Sequence, residues 1–332
     1  MKKVLPGFAL AIAIAIVATW LESILPIHVI GSSVLAMFIG MLMRPYTVEI
    51  ESVQPGIAFT GKKILKFAIV LLGASLNLTI VLEVGGQTIV ILIFTLLTAF
   101  LGGALLGKWM GINSKLTIMI AAGTGICGGS AIAALSPVID AEDKDISYAI
   151  SATILFDMVM IILYPIMGRA LALSDKVFGY WSGTSVNDTS SVVATSFAFS
   201  EAAGEIATMV KLTRTLAIIP TVLIFSYIYF KKNRKNKQVR EKVQLNTLFP
   251  WFIIFFIGMA ALNSFGLITA SQADILKGIS RFLMVAALAA IGLKTDIRAI
   301  RKTGIKPFIF ANVLSLLVVV VSIAVILLQE SL

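Results

Sequence analysis

The chain predicts an all-α polytopic membrane protein of about nine full spans, with two further re-entrant or broken-helix segments. Three observations carry this fold class. Of 332 residues, 58% are hydrophobic and only 13% charged, more apolar surface than a soluble domain of this length needs. The apolar residues fall in continuous runs of about 18 to 25, the length that crosses a bilayer as helix, rather than in the alternation of a membrane barrel. Two short glycine- and hydroxyl-rich stretches interrupt this background and resemble each other. No linker is long enough to hold a soluble domain, so residues 1–332 read as one integral membrane domain.

In chain order, helices are expected at 4–25, 29–44, 57–82, 87–109, 146–171, 202–230, 247–265, 272–296 and 305–329. The two unusual stretches lie within 114–138 and 178–200. Met1-Lys2-Lys3 before an apolar run resembles a signal peptide, but the run continues to Trp20 without a convincing cleavage site. An uncleaved first helix is therefore expected. The net charge of +10 would suggest nucleic acid on a soluble protein; here it orients helices and no nucleic-acid partner is expected. Lys2 and Lys3, then Arg44, Lys62, Lys63 and Lys66, then Lys108 and Lys115 flank successive helices. The densest run is Lys231, Lys232, Arg234, Lys235, Lys237, Arg240 and Lys242, and the last cluster is Lys294, Arg298, Arg301, Lys302 and Lys306. Simple alternation from a cytoplasmic N-terminus puts all of these inside and the C-terminus outside. The loop at 231–245 reads as a solvated topological determinant, with anionic lipid as the alternative partner. Cys127 is the only cysteine and His28 the only histidine, so neither a disulfide nor a metal site is expected.

The first special stretch is Gly123-Thr124-Gly125-Ile126-Cys127-Gly128-Gly129-Ser130; the second is Gly183-Thr184-Ser185-Val186-Asn187-Asp188-Thr189-Ser190. Each glycine in the first disfavours helix by about 1 kcal/mol relative to alanine. In lipid, each freed backbone group would cost several kcal/mol more, so a break survives only beside protein or a water-filled cavity. The bland alternative is close helix packing against glycine. For the second stretch the bland alternative is an external loop, which the flanking Phe178, Tyr180, Trp181 and Phe197 oppose.

Further weak matches connect the two halves. Phe38-Ile39-Gly40-Met41 recurs as Phe256-Ile257-Gly258-Met259, and the pattern Lys62, Ile64, Lys66-Phe67 recurs as Lys277, Ile279, Arg281-Phe282. These offsets, 218 and 215, differ from the offset of 60 between the Gly-Thr stretches. One circularly permuted duplication accommodates all three. It makes the units inverted structural repeats, and it favours re-entrant hairpins from opposite faces over unwound spans that cross at the midplane.

Candidate substrate ligands are Thr124, Gly125, Cys127, Gly128, Gly129, Ser130, Thr184, Ser185, Asn187 and Ser190. A half-helix starting near Ser190 would aim free N–H groups at the break, an anion site without a basic side chain. Asp188 could cap that helix, carry a coupling proton or help bind a cation. Asp157, Lys211 and Arg214 fall inside expected spans, where charges are rare and paired. Lys211 and Arg214 suit an oxyanion, Arg as the better fork; Asp157 and Asp188 are the candidates for ion coupling. Asn77 and Asn312 are further polar candidates, or ordinary satisfied hydrogen-bonding groups. No hydrolytic triad, zinc motif or phosphate-binding loop is present, so neither an enzyme nor an ATP-driven pump is expected.

The segment Thr124 to Ala131 resembles the signature of the YeiH-type conserved bacterial membrane proteins, and Gly183 to Asp188 resembles their second hallmark. The resemblance covers nearly the whole chain. It implies a relation to cation/proton antiporter-like and anion-transporter folds, a bacterial plasma membrane, a secondary transporter and a homodimer as the assembly to test. The sulfate-exporter label attached to the family is a weaker implication, since nothing in these motifs separates sulfate from another small anion. The expectation is an ion-coupled secondary transporter of a small anion, working by alternating access, with H+ or Na+ as coupling ion and no other cofactor. A sodium/proton antiporter or an organic-anion carrier is the runner-up. A channel and a non-transporting receptor come from different classes.

Overall fold

A computed structural model describes residues 4–24, 32–232, 250–295 and 305–331. Lys2, Lys3, His28, the basic run from Arg234 to Lys242, and Arg298, Arg301 and Lys302 lie outside the described residues. Helix α1 (Leu5–Ile24) is followed by α2 (Ser32–Thr47). Next, α3 (Gln54–Phe59) passes through a wide π turn at Thr60–Ile64 into α4 (Leu65–Leu72). A long helical run then joins α5 (Leu78–Leu97), a second π turn at Thr98–Gly102, and α6 (Gly103–Met110). The broken region holds α7 (Ser114–Ala122), a π turn at Gly123–Cys127, and α8 (Gly129–Leu135). The rest comprises α9 (Asp143–Ala170), α10 (Asp175–Ser185), α11 (Thr189–Phe199), α12 (Glu201–Leu216) and α13 (Ile218–Lys232). The chain ends with α14 (Trp251–Ser264), α15 (Ala270–Lys294) and α16 (Ile305–Glu330).

The described residues are helical with no strand, as the continuous apolar runs predict. Six helical runs among them are long and apolar enough to cross a membrane: 5–24, 78–110, 144–170, 201–229, 270–294 and 305–330. The expected elements recur with two shifted boundaries. The helix expected to end at 82 ends at the short turn Gly73–Ser75, and the next begins at Leu78 rather than 87. Asn77 causes this: its side chain accepts the N–H of Thr79 at 2.8 Å and caps α5. Asn77 is thus a local cap, and Asn312 likewise donates within its own helix, to the carbonyl of Phe308. The second shift splits the expected helix 202–230 at Ala217. Pro220 has no N–H to continue the ladder, so the chain restarts at Ile218.

Both special stretches fold back on themselves. At the base of the first hairpin, Asn113 Nδ2 donates to Asp145 Oδ2 at 3.1 Å and Lys115 Nζ to the carbonyl of Asp140. These contacts place the start of α7 beside the chain leaving α8, so the two helices are antiparallel. At the base of the second, Ser200 donates to Asp175 Oδ1 at 2.6 Å, and the rings of Phe178 and Phe199 stack at 3.9 Å. A Cβ placed on Gly183 would lie 2.7 Å from Val210 Cγ1, so α10 seats directly on α12.

Helix α9 relates the two hairpins. Its start meets the first base through Asp145, and near its end Arg169 Nη2 donates to the carbonyl of Ala198, at the second base. A helix of 28 residues spans about 42 Å. The hairpins are therefore rooted at opposite ends of α9 and point toward each other. On the other side of the molecule, α2 packs against α15 and α14 against α4, forming a second group of helices beside the hairpins.

Candidate functional site

The break in the first stretch falls at one residue. Thr124 to Cys127 remain helical in the π turn, and the chain departs at Gly128, with φ +60° and ψ −132°. That backbone conformation suits glycine alone. Gly128 also sits against the other hairpin, where a Cβ would lie 3.3 Å from Asp188 Cβ. In the second stretch Gly183, Thr184 and Ser185 complete α10, and only Val186, Asn187 and Asp188 are extended or turned between helices. The two tips meet beside the middle of α9.

Charge and dipole are matched at this junction. The tip of the second hairpin exposes N–H groups at the start of α11. Asp157, near the middle of α9 and 2% exposed, accepts them with both oxygens: Asn187 N at 2.9 Å and Asp188 N at 2.7 Å. The carbonyls that end α10 and the first π turn carry the opposite partial charge, and two fully buried cations from α12 meet them. Lys211 Nζ donates to the carbonyls of Ile126 and Val186 at 3.0 Å each, and to that of Asn187. Arg214 donates from Nε to Gly125 O at 2.8 Å, from Nη1 to Val186 O at 3.0 Å, and from Nη2 to Thr124 O. Each cation therefore bonds to both tips. A third bridge comes from α16: Ser315 Oγ lies 3.2 Å from Thr124 Oγ1 and accepts from Asn187 Nδ2 at 3.4 Å.

A cavity of about 830 Å³ opens beside the tips. Its inner end is lined by Cys127, Gly129, Ser130, Asp188 and Ser190, and its mouth by Lys62, Lys66 and Lys294. Between them lie apolar side chains of α2, α4 and α9, including Met37, Met41, Leu65 and Leu155. The carboxylate of Asp188 caps α11, accepting the N–H of Ser190 at 2.9 Å and also its hydroxyl. The same carboxylate faces the cavity, so any anion approaching that helix start meets it first.

The expected site residues thus divide into three groups. Cys127, Gly129, Ser130, Asp188 and Ser190 reach the cavity. Thr124, Gly125, Gly128, Asn187, Asp157, Lys211 and Arg214 form the junction behind it. Lys211 and Arg214, expected as oxyanion ligands, have donors engaged on backbone carbonyls. Thr184 donates to the carbonyl of Tyr180 at 2.7 Å, while Ser185 bonds to Trp181 O and to the hydroxyl of Tyr164. Thr184 thus bonds within its own helix and Ser185 bonds to its own helix and to α9, and neither lines the cavity. Ser315 and Tyr164 join these contacts without a signal in the sequence, since a hydroxyl in an apolar helix is unexceptional. Lys62, Lys66 and Lys294 stand out in the sequence only as topology signals, and their shared position at the cavity mouth adds a second effect.

Opposed hairpins joined by buried charges, beside a cavity within a bundle of long apolar helices, define a polytopic helical membrane protein. The chain belongs to the family described as Conserved hypothetical protein 698, whose model matches residues 6–311, which is the YeiH-type group that its motifs resemble. It is 47% identical over 335 residues to a UPF0324 membrane protein of Clostridium tetani, covering 98% of this chain and 97% of that relative. UPF0324 membrane proteins of Streptococcus pyogenes serotype M18 and Streptococcus pneumoniae serotype 4 are 40% and 38% identical over 329 and 315 residues, covering 96% and 92% of each chain. These relatives are named membrane proteins of bacteria, in keeping with the membrane location expected from composition.

Proposed function

We propose that this protein is a secondary transporter of a small anion in the bacterial plasma membrane. The observation that carries the reading is the meeting of two oppositely rooted hairpins at the inner end of a lysine-mouthed cavity. Non-helical backbone at membrane depth is costly and is tolerated where it lines a solute path. Lys62, Lys66 and Lys294 raise the local anion concentration at the mouth. Ser130, Ser190 and the backbone near Gly129 supply hydrogen-bond donors at the inner end. Lys211 and Arg214 add positive potential from behind, without direct contact.

Asp188 is the coupling group in this account. While charged, it occupies the start of α11 and repels an incoming anion. Protonation, or rotation toward a sodium ion, frees that position, so anion and cation bind together. Asp157 has the positioning part, because its oxygens hold the hairpin tip. The wider architecture belongs to the same proposal: nine spans, a cytoplasmic N-terminus, an extracytoplasmic C-terminus, and two inverted repeats related by circular permutation. The paired packing of α2 on α15 and α14 on α4 supports the repeat, since each pair matches the other under the scheme.

The test is a thermal-shift screen of small oxyanions and organic anions on purified protein, followed by uptake into proteoliposomes. Saturable uptake that depends on a proton or sodium gradient is expected, and Asp188→Asn removes that dependence. Uptake equal to that of empty liposomes for every anion contradicts the proposal. A second reading, a sodium/proton antiporter, draws on the carboxylate of Asp188 facing the cavity. Cation exchange that needs no anion would favour it.

A further inference from the structure

Helices α12 and α15 run in the same direction and relate differently at their two ends. At the far end, Thr215 and Ile218 from the α12–α13 run and Ile291 and Lys294 from α15 line the cavity. At the near end, Glu201 and Glu205 on α12 face Lys277 and Arg281 on α15. Lys277 Nζ lies 2.7 Å from Glu201 Oε1 and 2.7 Å from Glu205 Oε1, and Arg281 pairs with the other oxygen of Glu201. Thirteen residues separate Arg281 from Lys294, or about 20 Å along the helix. The two helices are thus tied at one end and parted by a cavity at the other.

Beside the ion pairs lies a second, smaller pocket of about 210 Å³, lined by residues that include Ser33, Phe197, Glu201, Arg281, Met284 and Val285. An apolar layer separates it from the large cavity. Val34, Met37, Met284 and Leu288 in this layer are all at most 4% exposed and belong to one packed cluster. These four side chains carry neither charge nor a hydrogen-bonding group that would have to lose a partner for the layer to part. What ties the helices beyond it is the four-residue ion-pair cluster. Its side chains are partly exposed, at 43% for Glu201, 18% for Glu205, 27% for Lys277 and 39% for Arg281. Partly solvated ion pairs contribute little to the stability of a fold and exchange readily for water. That suits a contact made and broken repeatedly better than a permanent tie.

We propose that Glu201, Glu205, Lys277 and Arg281 form the gate that closes the solute path at the end opposite the cavity, and that the cluster separates when the cavity closes. This inference rests on the carrier reading above. It adds the location of a gate, and with it the assignment of the present structure to the state open toward Lys62, Lys66 and Lys294. Separating the pairs would join the smaller pocket to the hairpin tips once Met284 and Leu288, one turn apart on α15, draw away from α11.

The experiment uses full-length protein in oriented membrane vesicles with Cys127→Ser as background. Leu288→Cys reports opening of the gate, through its rate of reaction with a membrane-impermeant maleimide added on the side away from the cavity. Adding Lys277→Gln and Arg281→Gln is expected to raise that rate about three-fold or more, the scale on which loss of exposed ion pairs shifts a two-state balance. Exchanging all four charges, with Glu201→Arg, Glu205→Lys, Lys277→Glu and Arg281→Glu, is expected to return the rate to that of the parent. An unchanged rate in the folded variant, or a rise that the exchange does not reverse, overturns the gate. Should the double variant fail to fold, Glu205→Gln alone, which removes one pair, decides by the presence or absence of a smaller rise. The readout needs no substrate. The gate therefore fails on labelling, whereas the carrier reading fails on flux.

Discussion

Both carboxylate oxygens of Asp157 are engaged by N–H groups of the second hairpin tip, whereas Asp188 presents its carboxylate to Ser190 and to the cavity. The same substitution therefore has different outcomes at the two positions. Asn at 157 turns one acceptor into a donor facing an N–H group, and loses charge-assisted bonds worth about 1.5–3 kcal/mol each. Asp157→Asn is expected to lower the unfolding temperature in detergent by several degrees. Asp188→Asn keeps a good helix cap, so its unfolding temperature stays near that of the parent while the ion dependence of uptake changes. Equal destabilisation of the two variants would contradict this division. Asp157, Lys211 and Arg214 were legible as important because charges inside apolar spans are conspicuous. What they bind was not legible, since their partners are backbone groups, which every residue carries.

The hairpins set the second scale. Their existence could be read from clustered glycines and hydroxyls, and their opposed entry from the permuted-repeat scheme alone, against the charge counts, since hairpins put Arg169 and Lys176 outside. The exact break could not, because several glycines in the first stretch offered the same signal. Only the departure at Gly128 and its contact with Asp188 single it out. Gly128→Ala forces a side chain into a backbone region that costs about 1–3 kcal/mol, and it pushes the tips apart. Packing glycines give a contrast within one chain. A Cβ at Gly183 meets Val210 Cγ1 at 2.7 Å, while one at Gly258 meets nothing within 4 Å. Gly183→Ala is expected to destabilise the protein. Gly258→Ala is expected to be neutral or to stabilise α14 by up to about 1 kcal/mol, as alanine replaces glycine in a helix. Thermal unfolding of the pair checks this, and the reverse order would show that α10 does not seat on α12 as described.

For the molecule as a whole, the helical membrane architecture follows from composition and run length. The cavity does not, because its wall is assembled from Met37, Lys62, Leu155, Ser190 and Lys294, distant in sequence and unremarkable one by one. Its boundary can be checked by cysteine labelling in a Cys127→Ser background. Ser130→Cys, exposed in the cavity, is expected to react with a polar maleimide. Thr124→Cys, fully buried behind the tips, is expected to stay unlabelled. Labelling of Thr124→Cys at a comparable rate would place the solute path through the junction rather than beside it.

The central claim is that the cavity and the paired tips together carry an anion across the membrane by alternating exposure. Counterflow measures this most directly. Proteoliposomes loaded with the unlabelled oxyanion that gives the largest thermal shift are diluted into a trace of its labelled form. A carrier exchanges one for the other, so labelled anion accumulates transiently above its equilibrium level, and the Asp157→Asn variant shows a reduced overshoot. Entry that rises to equilibrium without overshoot would indicate a channel, and no entry above empty liposomes would contradict the transport account.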